Sequence, residues 1–333
     1  MNKPALIAAL TAAVILALAL VAFHPGRGGT LYIWVADAYV GEAKYLASSF
    51  QRQYGVPYVL KSGGSFALAR EIALGEPASV FIPVDASAAG PRFLGDASPG
   101  WVIAFASDQM VLAYTESSVS ANAYAREALA DARDGNWSGF FYLLTSGEVK
   151  VGISNPLEDP AGYRAWLVLK LAGYEYANGD ADYFYDRLYN SAAVVTAPNA
   201  AALVAPLQAG DLNFLFIYKS AAVAKNLSYI SLPPQVNLGE VNYSSLYSSV
   251  SVTFGNVTFR GSPIFLYLTV PRGAVDQGEA EEFVSYALRE SGNLSAYGLV
   301  PLRPALLFNS TQVPQWIQAL IKEGYLEEAG GLG

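Results

Sequence analysis

Short apolar runs alternate with amphipathic segments in the part of the chain that follows residue 30. The apolar runs have the length of buried strands, and the segments between them carry apolar residues at helical spacing. A β-α-β-α-β order predicts a parallel sheet with helices on both faces, whose ligands bind beyond the carboxyl ends of the strands. The predicted strands are 31–36, 56–62 and 78–85, and the predicted helices are 40–54 and 66–74.

Two longer strand patterns follow, at 101–115 and 262–271. The first carries Ser107 and Asp108 in its middle, which indicates a hinge or a ligand contact, or else a solvated strand face. A strand of this length can cross from one lobe into another. Shorter patterns predict strands at 149–153 and 212–218, helices at 127–133, 163–173, 182–190, 200–209, 279–290 and 314–323, and an irregular or hairpin insertion at 232–258.

Residues 5–23 form an uncharged apolar run that follows Lys3. The run is just long enough to cross a bilayer, whereas the apolar core of a cleaved signal peptide is usually shorter. We therefore interpret 1–29 as a membrane anchor with a Pro/Gly linker, and secretion after signal cleavage is the alternative. The positive charge before the run favours an N-terminus inside the cell and a body outside it.

The length of 333 residues suits two lobes better than one ordinary core. Asn-X-Ser/Thr sequons are more frequent than chance predicts, which indicates a glycosylated protein on the external face of the cell. The sequons begin at Asn136, Asn226, Asn242, Asn256, Asn293 and Asn309.

The charge balance is acidic, with 20 basic and 28 acidic residues and a formal net charge of −8. Removing 1–29 takes away Lys3 and Arg27, so the body has 18 basic against 28 acidic residues, a net charge of −10. No basic block stands out, so no nucleic-acid partner is expected. The electrostatic field of this net negative charge repels anions. Any bound anion must therefore be held by local amides and hydroxyls.

Residues that many catalytic sites need are missing from the sequence. The absence of cysteine excludes disulfides, Cys–His zinc sites and thiol nucleophiles. The one histidine, His24, lies in the linker, and no P-loop motif occurs. We therefore expect a binding protein without a cofactor, and not an enzyme.

A glycine-rich turn precedes the second predicted helix, where Gly63, Gly64 and Ser65 stand before 66–74. Free amides at a helix start, with a hydroxyl beside them, form an anion site. The alternative is a plain strand-to-helix turn in which Ser65 is only the cap.

The second candidate is Asp159, which precedes Pro160 as an N-cap precedes the first helical residue. Gly162 and Tyr163 then open an apolar helix. Asp159 either only caps this helix or faces a ligand together with the amides of Ala161 and Gly162. A carboxylate repels an ordinary oxyanion. Tungsten and molybdenum, in contrast with sulfur and phosphorus, accept a further oxygen donor.

After the linker, the chain resembles the archaeal tungstate/molybdate-binding proteins of ABC importers. The most specific part of the resemblance is DPAGYR at 159–164, because that family carries a DP-x-GYR motif there. The order and spacing of the matching stretches also fit. These stretches are 101–115, 155–172, 210–233, 262–274 and 297–306.

The resemblance implies an α/β fold of the periplasmic-binding-protein type (type II), in which two lobes close on an oxyanion. Each lobe is expected to hold a mixed, mostly parallel sheet flanked by helices, and two hinge strands near 105–112 and 262–270 join the lobes. Lobe I is expected to comprise 30–106 and 264–325, and lobe II 107–263.

The resemblance also implies a function. The protein is expected to capture tungstate or molybdate and deliver it to the permease and ATPase subunits of an ABC transporter, as a monomer at the extracellular face of the membrane. Two alternatives stay open. The same scaffold can bind a different oxyanion, a small organic anion or a cation complex, or the chain can be an anchored sensor or surface protein without transport.

The resemblance places the site on loops of both lobes, and a carboxylate that corresponds to Asp159 bonds the metal centre of the oxyanion. The expected ligand-binding residues are Asp37, Ala38, Gly64, Ser65, Ser107, Asp159, Ala161, Gly162, Tyr163 and Tyr218.

Two departures from the family pattern bear on specificity. The loop after the first strand reads Asp37-Ala38 where the family has Gly-Ser, so a hydroxyl is lost and an acid is gained. Ile217 stands where the family pattern leads us to expect a second metal-bonding carboxylate. An acid beside an anion is unfavourable unless it points away or binds a cation.

Overall fold

The structure is a computed structural model that describes residues 29–332. The membrane anchor predicted at 5–23 lies outside the described residues. Within the described range, no helix is both long and apolar enough to cross a membrane.

The described strands form three sheets and a two-stranded ribbon. In chain order they are β1 Leu31–Ala36, β2 Tyr58–Gly63, β3 Val80–Ile82, β4 Trp101–Asp108, β5 Met110–Tyr114, β6 Val151–Gly152, β7 Val194–Val195, β8 Phe214–Tyr218, β9 Ser228–Ser231, β10 Ser251–Phe254, β11 Val257–Arg260, β12 Ile264–Leu268, β13 Val300–Asn309 and β14 Leu326–Gly330.

Helices pack on these sheets, and several short 3-10 turns connect them. The described α-helices are α1 Val40–Tyr54, α2 Ser65–Ala73, α3 Pro91–Leu94, α4 Glu116–Ser120, α5 Ala123–Asp134, α6 Trp137–Leu144, α7 Pro160–Tyr176, α8 Tyr183–Tyr189, α9 Val204–Ala209, α10 Lys219–Ala224, α11 Ser244–Tyr247, α12 Gln277–Glu290 and α13 Gln315–Lys322.

The first sheet has the order β2-β1-β3 with parallel pairing throughout, as the β-α-β-α-β pattern predicts. The helix α1 buries a stripe of residues three and four positions apart, which includes Leu46 and Phe50, against the core. It ends at Gly55, whose φ of 75° is in the left-handed region that terminates helices.

The second sheet has the order β12-β4-β13-β14. A backbone bridge between Phe81 and Thr269 joins it to the edge of the first sheet. This sheet is mixed, because β12 and β13 both run antiparallel to β4, whereas β13 and β14 are parallel.

The third sheet has the order β7-β6-β8-β5-β9 and is mixed. Its β6 pairs in parallel with β7 and β8, whereas β5 is antiparallel to β8 and β9. The helix α7 contacts this sheet and is buried almost all round over its first four turns. That burial explains why its sequence is apolar rather than amphipathic.

The strand predicted at 101–115 is two strands that belong to different sheets, β4 and β5, with Gln109 between them. The chain thus crosses from the second sheet to the third at this point. Asp108 fixes the crossing, because its Oδ2 accepts hydrogen bonds from the hydroxyls of Tyr39, at 3.1 Å, and Ser220. Mixed sheets flanked by helices therefore confirm the predicted α/β class, and the residue limits of the two lobes stay a prediction.

The insertion predicted at 232–258 contains a 3-10 turn, the helix α11 and most of the ribbon β10–β11. Phe259 of β11, one residue past the predicted insertion, stacks on Tyr163 with ring centroids 4.2 Å apart and planes 4° from parallel. The ribbon β10–β11 therefore packs against the start of α7.

Candidate functional site

The carboxyl ends of β1 and β8 meet at a small cavity. Apolar side chains form most of its wall, and the charged groups on the wall are two carboxyls and one ammonium. The described residues that line it are Ala36, Asp37, Ala38, Val84, Asp159, Ala161, Ala200, Ala201, Ile217, Tyr218, Ala221 and Lys225.

Asp159 both caps α7 and faces the cavity. Its Oδ1 accepts from the amide of Ala161 at 3.2 Å, and its Oδ2 accepts from the amide of Ala200 at 2.9 Å. Burial raises the pKa of Asp159 against the opposing effect of these amides and of the Ser154 hydroxyl, and the charge of Asp37 raises it further. The capping interpretation from the sequence is confirmed, and it leaves the carboxyl on the cavity wall.

Asp37 begins a 3-10 turn directly after β1, and Ala38 lies beside it on the cavity wall. Burial raises the pKa of Asp37, while a hydrogen bond from the Ser62 hydroxyl and the charge of Lys225 oppose that rise. The acid that replaces the family's glycine therefore points towards the candidate site rather than away from it.

Gly64 and Ser65 lie beside the loop that carries Asp159. Among the described residues, neither of the two lines the cavity. A Cβ at Gly64 would lie 2.4 Å from the carbonyl oxygen of Glu158, so the two loops can approach this closely only at a glycine. Gly64, not Ser65, is the N-cap of α2. The buried Ser65 hydroxyl accepts a hydrogen bond from the amide of Val84 at 3.1 Å.

Tyr218 lines the cavity and is held from behind by Arg164, whose Nη1 donates to the Tyr218 hydroxyl at 2.8 Å. Both residues are buried, and the Tyr218 ring stacks on Tyr39 with centroids 6.0 Å apart. Burial raises the pKa of Tyr218, so the phenol stays protonated. Because the phenol accepts from Arg164, its own proton remains available to a second partner.

Gly162 and Tyr163 position the start of α7. Neither residue lines the cavity as the structure describes it. A Cβ at Gly162 would lie 2.1 Å from the carbonyl oxygen of Ser154, so the helix start and the preceding loop need glycine at this contact. The Tyr163 hydroxyl donates to Asp85, which follows β3 in the first sheet. This hydrogen bond connects α7, which packs on the third sheet, to the end of β3 in the first sheet.

Ser107 lies in β4, where it pairs with Phe265 and Val300 and is 7% exposed. It is not among the described residues that line the cavity. The structure thus brings together Asp37, Ala38, Asp159, Ala161 and Tyr218 on one wall, and it places the other predicted site residues next to that wall or at the strand crossing.

Sequence reasoning missed Lys225, Ala200 and Ala201 on the cavity wall. Lys225 follows α10 and is the cation of the wall, but a single lysine after a short helix gives no signal in the sequence. Ala200 contributes its backbone amide, which any residue carries. Among residues 29–332, no three His, Cys, Asp or Glu side chains are grouped so that they could hold a metal ion.

The fold is α/β, and the candidate site lies where the first sheet meets the third. A family model described as bacterial extracellular solute-binding protein matches residues 31–293. The chain is 38% identical over 319 residues to a solute-binding protein of Sulfurisphaera tokodaii, covering 92% of this chain and 84% of that one. It is 29% identical over 295 residues to a molybdate/tungstate-binding protein of Pyrococcus abyssi, covering 82% and 81%.

Solved structures agree on the fold. The periplasmic molybdate-binding protein of Azotobacter vinelandii matches with a TM-score of 0.54 and 18% identity over 81% of this chain and 98% of that one. The sulfate-binding protein of Mycobacterium tuberculosis matches with a TM-score of 0.59 and 14% identity over 91% and 94%. These similarities confirm the periplasmic-binding-protein-like fold that the sequence predicts.

The chain belongs to the bacterial extracellular solute-binding protein family. It is therefore a solute-binding protein of the ABC-transporter type, and its family is one of binding proteins and not a class of enzymes.

Proposed function

We propose that this protein captures tungstate or molybdate outside the cell and delivers it to the permease and ATPase subunits of an ABC importer. The observation that carries the proposal is the Asp159 carboxyl, which faces a largely apolar cavity from the start of α7. The similarity to a molybdate/tungstate-binding protein supports the same cargo.

The chemistry of the wall supports a metal oxyanion over sulfate. A buried carboxylate repels the oxygens of any oxyanion, and sulfur has no free coordination position that would compensate. A tungsten or molybdenum centre accepts the carboxylate oxygen as a further ligand. Lys225 and the Tyr218 hydroxyl then stabilise the oxygens of the anion by charge and by a hydrogen bond.

The proposed mechanism is binding without turnover. An open form takes up the anion, lobes I and II close on it, and the closed form docks on the permease. Contacts such as the Tyr163–Asp85 hydrogen bond and the close approach of Gly64 to Glu158 are suited to hold the closed form.

We also propose that the protein acts as a monomer at the extracellular face of the membrane, attached through residues 5–23. Glycosylation of the body fits this location, since five of the six sequon asparagines are exposed. Peptide mass spectrometry of the native protein would locate the glycans. The exposed sites are Asn136, Asn226, Asn242, Asn256 and Asn293.

The test is calorimetric titration of the full-length protein with tungstate, molybdate and sulfate. We expect tight binding of tungstate or molybdate and none of sulfate. Asp159→Ala should weaken binding by roughly 100-fold, because it removes a ligand of the metal centre. Asp134→Ala, which removes an exposed carboxyl at the end of α5, is the control and should bind like the wild type.

Because Asp159 also caps α7, thermal melting must show that the variant is folded, and Asp159→Asn offers a milder change that keeps one amide contact. No heat with any of the three anions would overturn the cargo and favour a different anion or a sensor without transport. If both folded Asp159 variants bound tungstate with wild-type affinity, Asp159 would not be a ligand of the bound anion.

A further inference from the structure

Two carboxyls line the same cavity and come from different parts of the fold. Asp37 enters from the turn after β1 in the first sheet, and Asp159 enters from the start of α7 beside the third sheet. Alanines, Val84 and Ile217 make up much of the wall around them. An apolar cavity that presents two acids is unusual, because like charges in a site of low polarity oppose each other.

Neither carboxyl is neutralised by an ion pair within the described residues. The ion pairs found there involve other acids, Glu71, Asp182 and Glu323. Asp159 is held by two backbone amides, and Asp37 by the Ser62 hydroxyl and by the charge of Lys225. The two acids therefore retain lone pairs for a ligand that lies between them.

We propose that Asp37 is a specificity-determining residue that bonds the metal centre of the bound oxyanion together with Asp159. The inference rests on the proposed function and goes beyond it, because it names a second metal-bonding group. The carboxyl that the resemblance led us to expect at Ile217, on the β8 side, is here supplied from the β1 side. Ile217 itself contributes only an apolar patch to the same wall.

This arrangement links ligand choice to closure of the lobes. Closure without a ligand brings two acids into one cavity and is opposed by their repulsion. A sulfate or phosphate would add further negative charge to the pair. Tungstate and molybdate carry the same charge as sulfate, but a tungsten or molybdenum centre with two open coordination positions bonds both acids. These two bonds offset the repulsion, so only such a ligand favours the closed form.

The test is X-ray absorption fine structure at the tungsten edge, measured on the full-length protein loaded with tungstate. In the wild type we expect four oxo oxygens and two longer carboxylate oxygens around tungsten. In Asp37→Asn one of the longer oxygens should disappear, and tungstate affinity should fall by roughly 100-fold. Asp96→Asn, which neutralises an exposed acid away from the cavity, should leave the spectrum and the affinity unchanged.

A rescue variant separates a coordinating role from a structural one. Asp37→Ser alone should lose the second carboxylate oxygen, and Asp37→Ser combined with Ile217→Glu should restore it from the other side of the cavity. A wild-type spectrum with one longer carboxylate oxygen instead of two would overturn this inference and leave the proposed function standing. Tungstate bound as a bare tetrahedron would overturn this inference and the bond to Asp159 as well. A wild type that binds no tungstate would overturn the proposed function as well. An Asp37→Asn spectrum identical to that of the wild type would show that Asp37 is not a ligand.

Discussion

Glu42 is a buried carboxyl that the binding mechanism does not use, and it gives a prediction about stability. It lies in the first turn of α1 and is 1% exposed. Neither of its carboxyl oxygens has a hydrogen-bond partner among the described residues. Burial raises the pKa of Glu42 to about 8, and the nearby Asp108 contributes to the rise.

Replacing this carboxyl by an amide, Glu42→Gln, should stabilise the protein at alkaline pH. The pKa is higher in the folded state than the ordinary 4.5, so the folded state holds a proton that the unfolded state has released. The carboxyl therefore costs no stability below pH 4.5, and its cost grows as the pH rises towards 8. The difference between these two pKa values corresponds to at most about 5 kcal/mol. Glutamine resembles the neutral acid and has no such cost.

The assay is chemical denaturation of the full-length wild type and of Glu42→Gln at pH 4 and at pH 9. We expect similar free energies of unfolding at pH 4, and at pH 9 a gain for the variant of about 2–5 kcal/mol. Glu116→Gln is the control, because Glu116 also lies in the first turn of a helix but is exposed. A variant with the same gain at both pH values, or with no gain at pH 9, would refute the reasoning.

Two further substitutions test the packing around the cavity. Gly162→Ala should lower the free energy of unfolding by about 1–3 kcal/mol, because its Cβ would meet the Ser154 carbonyl oxygen. Gly278→Ala, with no atom within 4 Å of its Cβ, should not destabilise the protein in the same thermal melts. Tyr218→Phe should cost about 1–3 kcal/mol in denaturant titrations, because the buried Arg164 loses an acceptor. Wild-type stability of Gly162→Ala or of Tyr218→Phe would contradict the contact that it tests.

The first sheet could be predicted from the sequence because its strands are short apolar runs separated by clear helical patterns. The crossing at Gln109 could not be located in the same way. Both β4 and β5 are almost wholly buried, so the apolar pattern continues through the point where the chain changes sheet. The strands β13 and β14 were missed because β13 is only partly buried and β14 is mostly exposed.

The residues of the candidate site also differ in how far they could be predicted from the sequence. Asp159 could be recognised because its signal is local, an acid followed by proline and an apolar helix. Lys225 and the amide of Ala200 could not, since they reach the cavity only through the packing of α10 and of the turn before α9. Glu42 reads as an ordinary acid in a first helical turn, and only the fold reveals its burial.

The most direct test of the proposed function is a crystal structure of the protein grown with tungstate, with anomalous scattering recorded at the tungsten edge. The account predicts one strong anomalous peak inside the cavity, between the carboxyls of Asp37 and Asp159. A fully occupied peak elsewhere on the molecule, or a cavity without any peak in tungstate-soaked crystals, would contradict it.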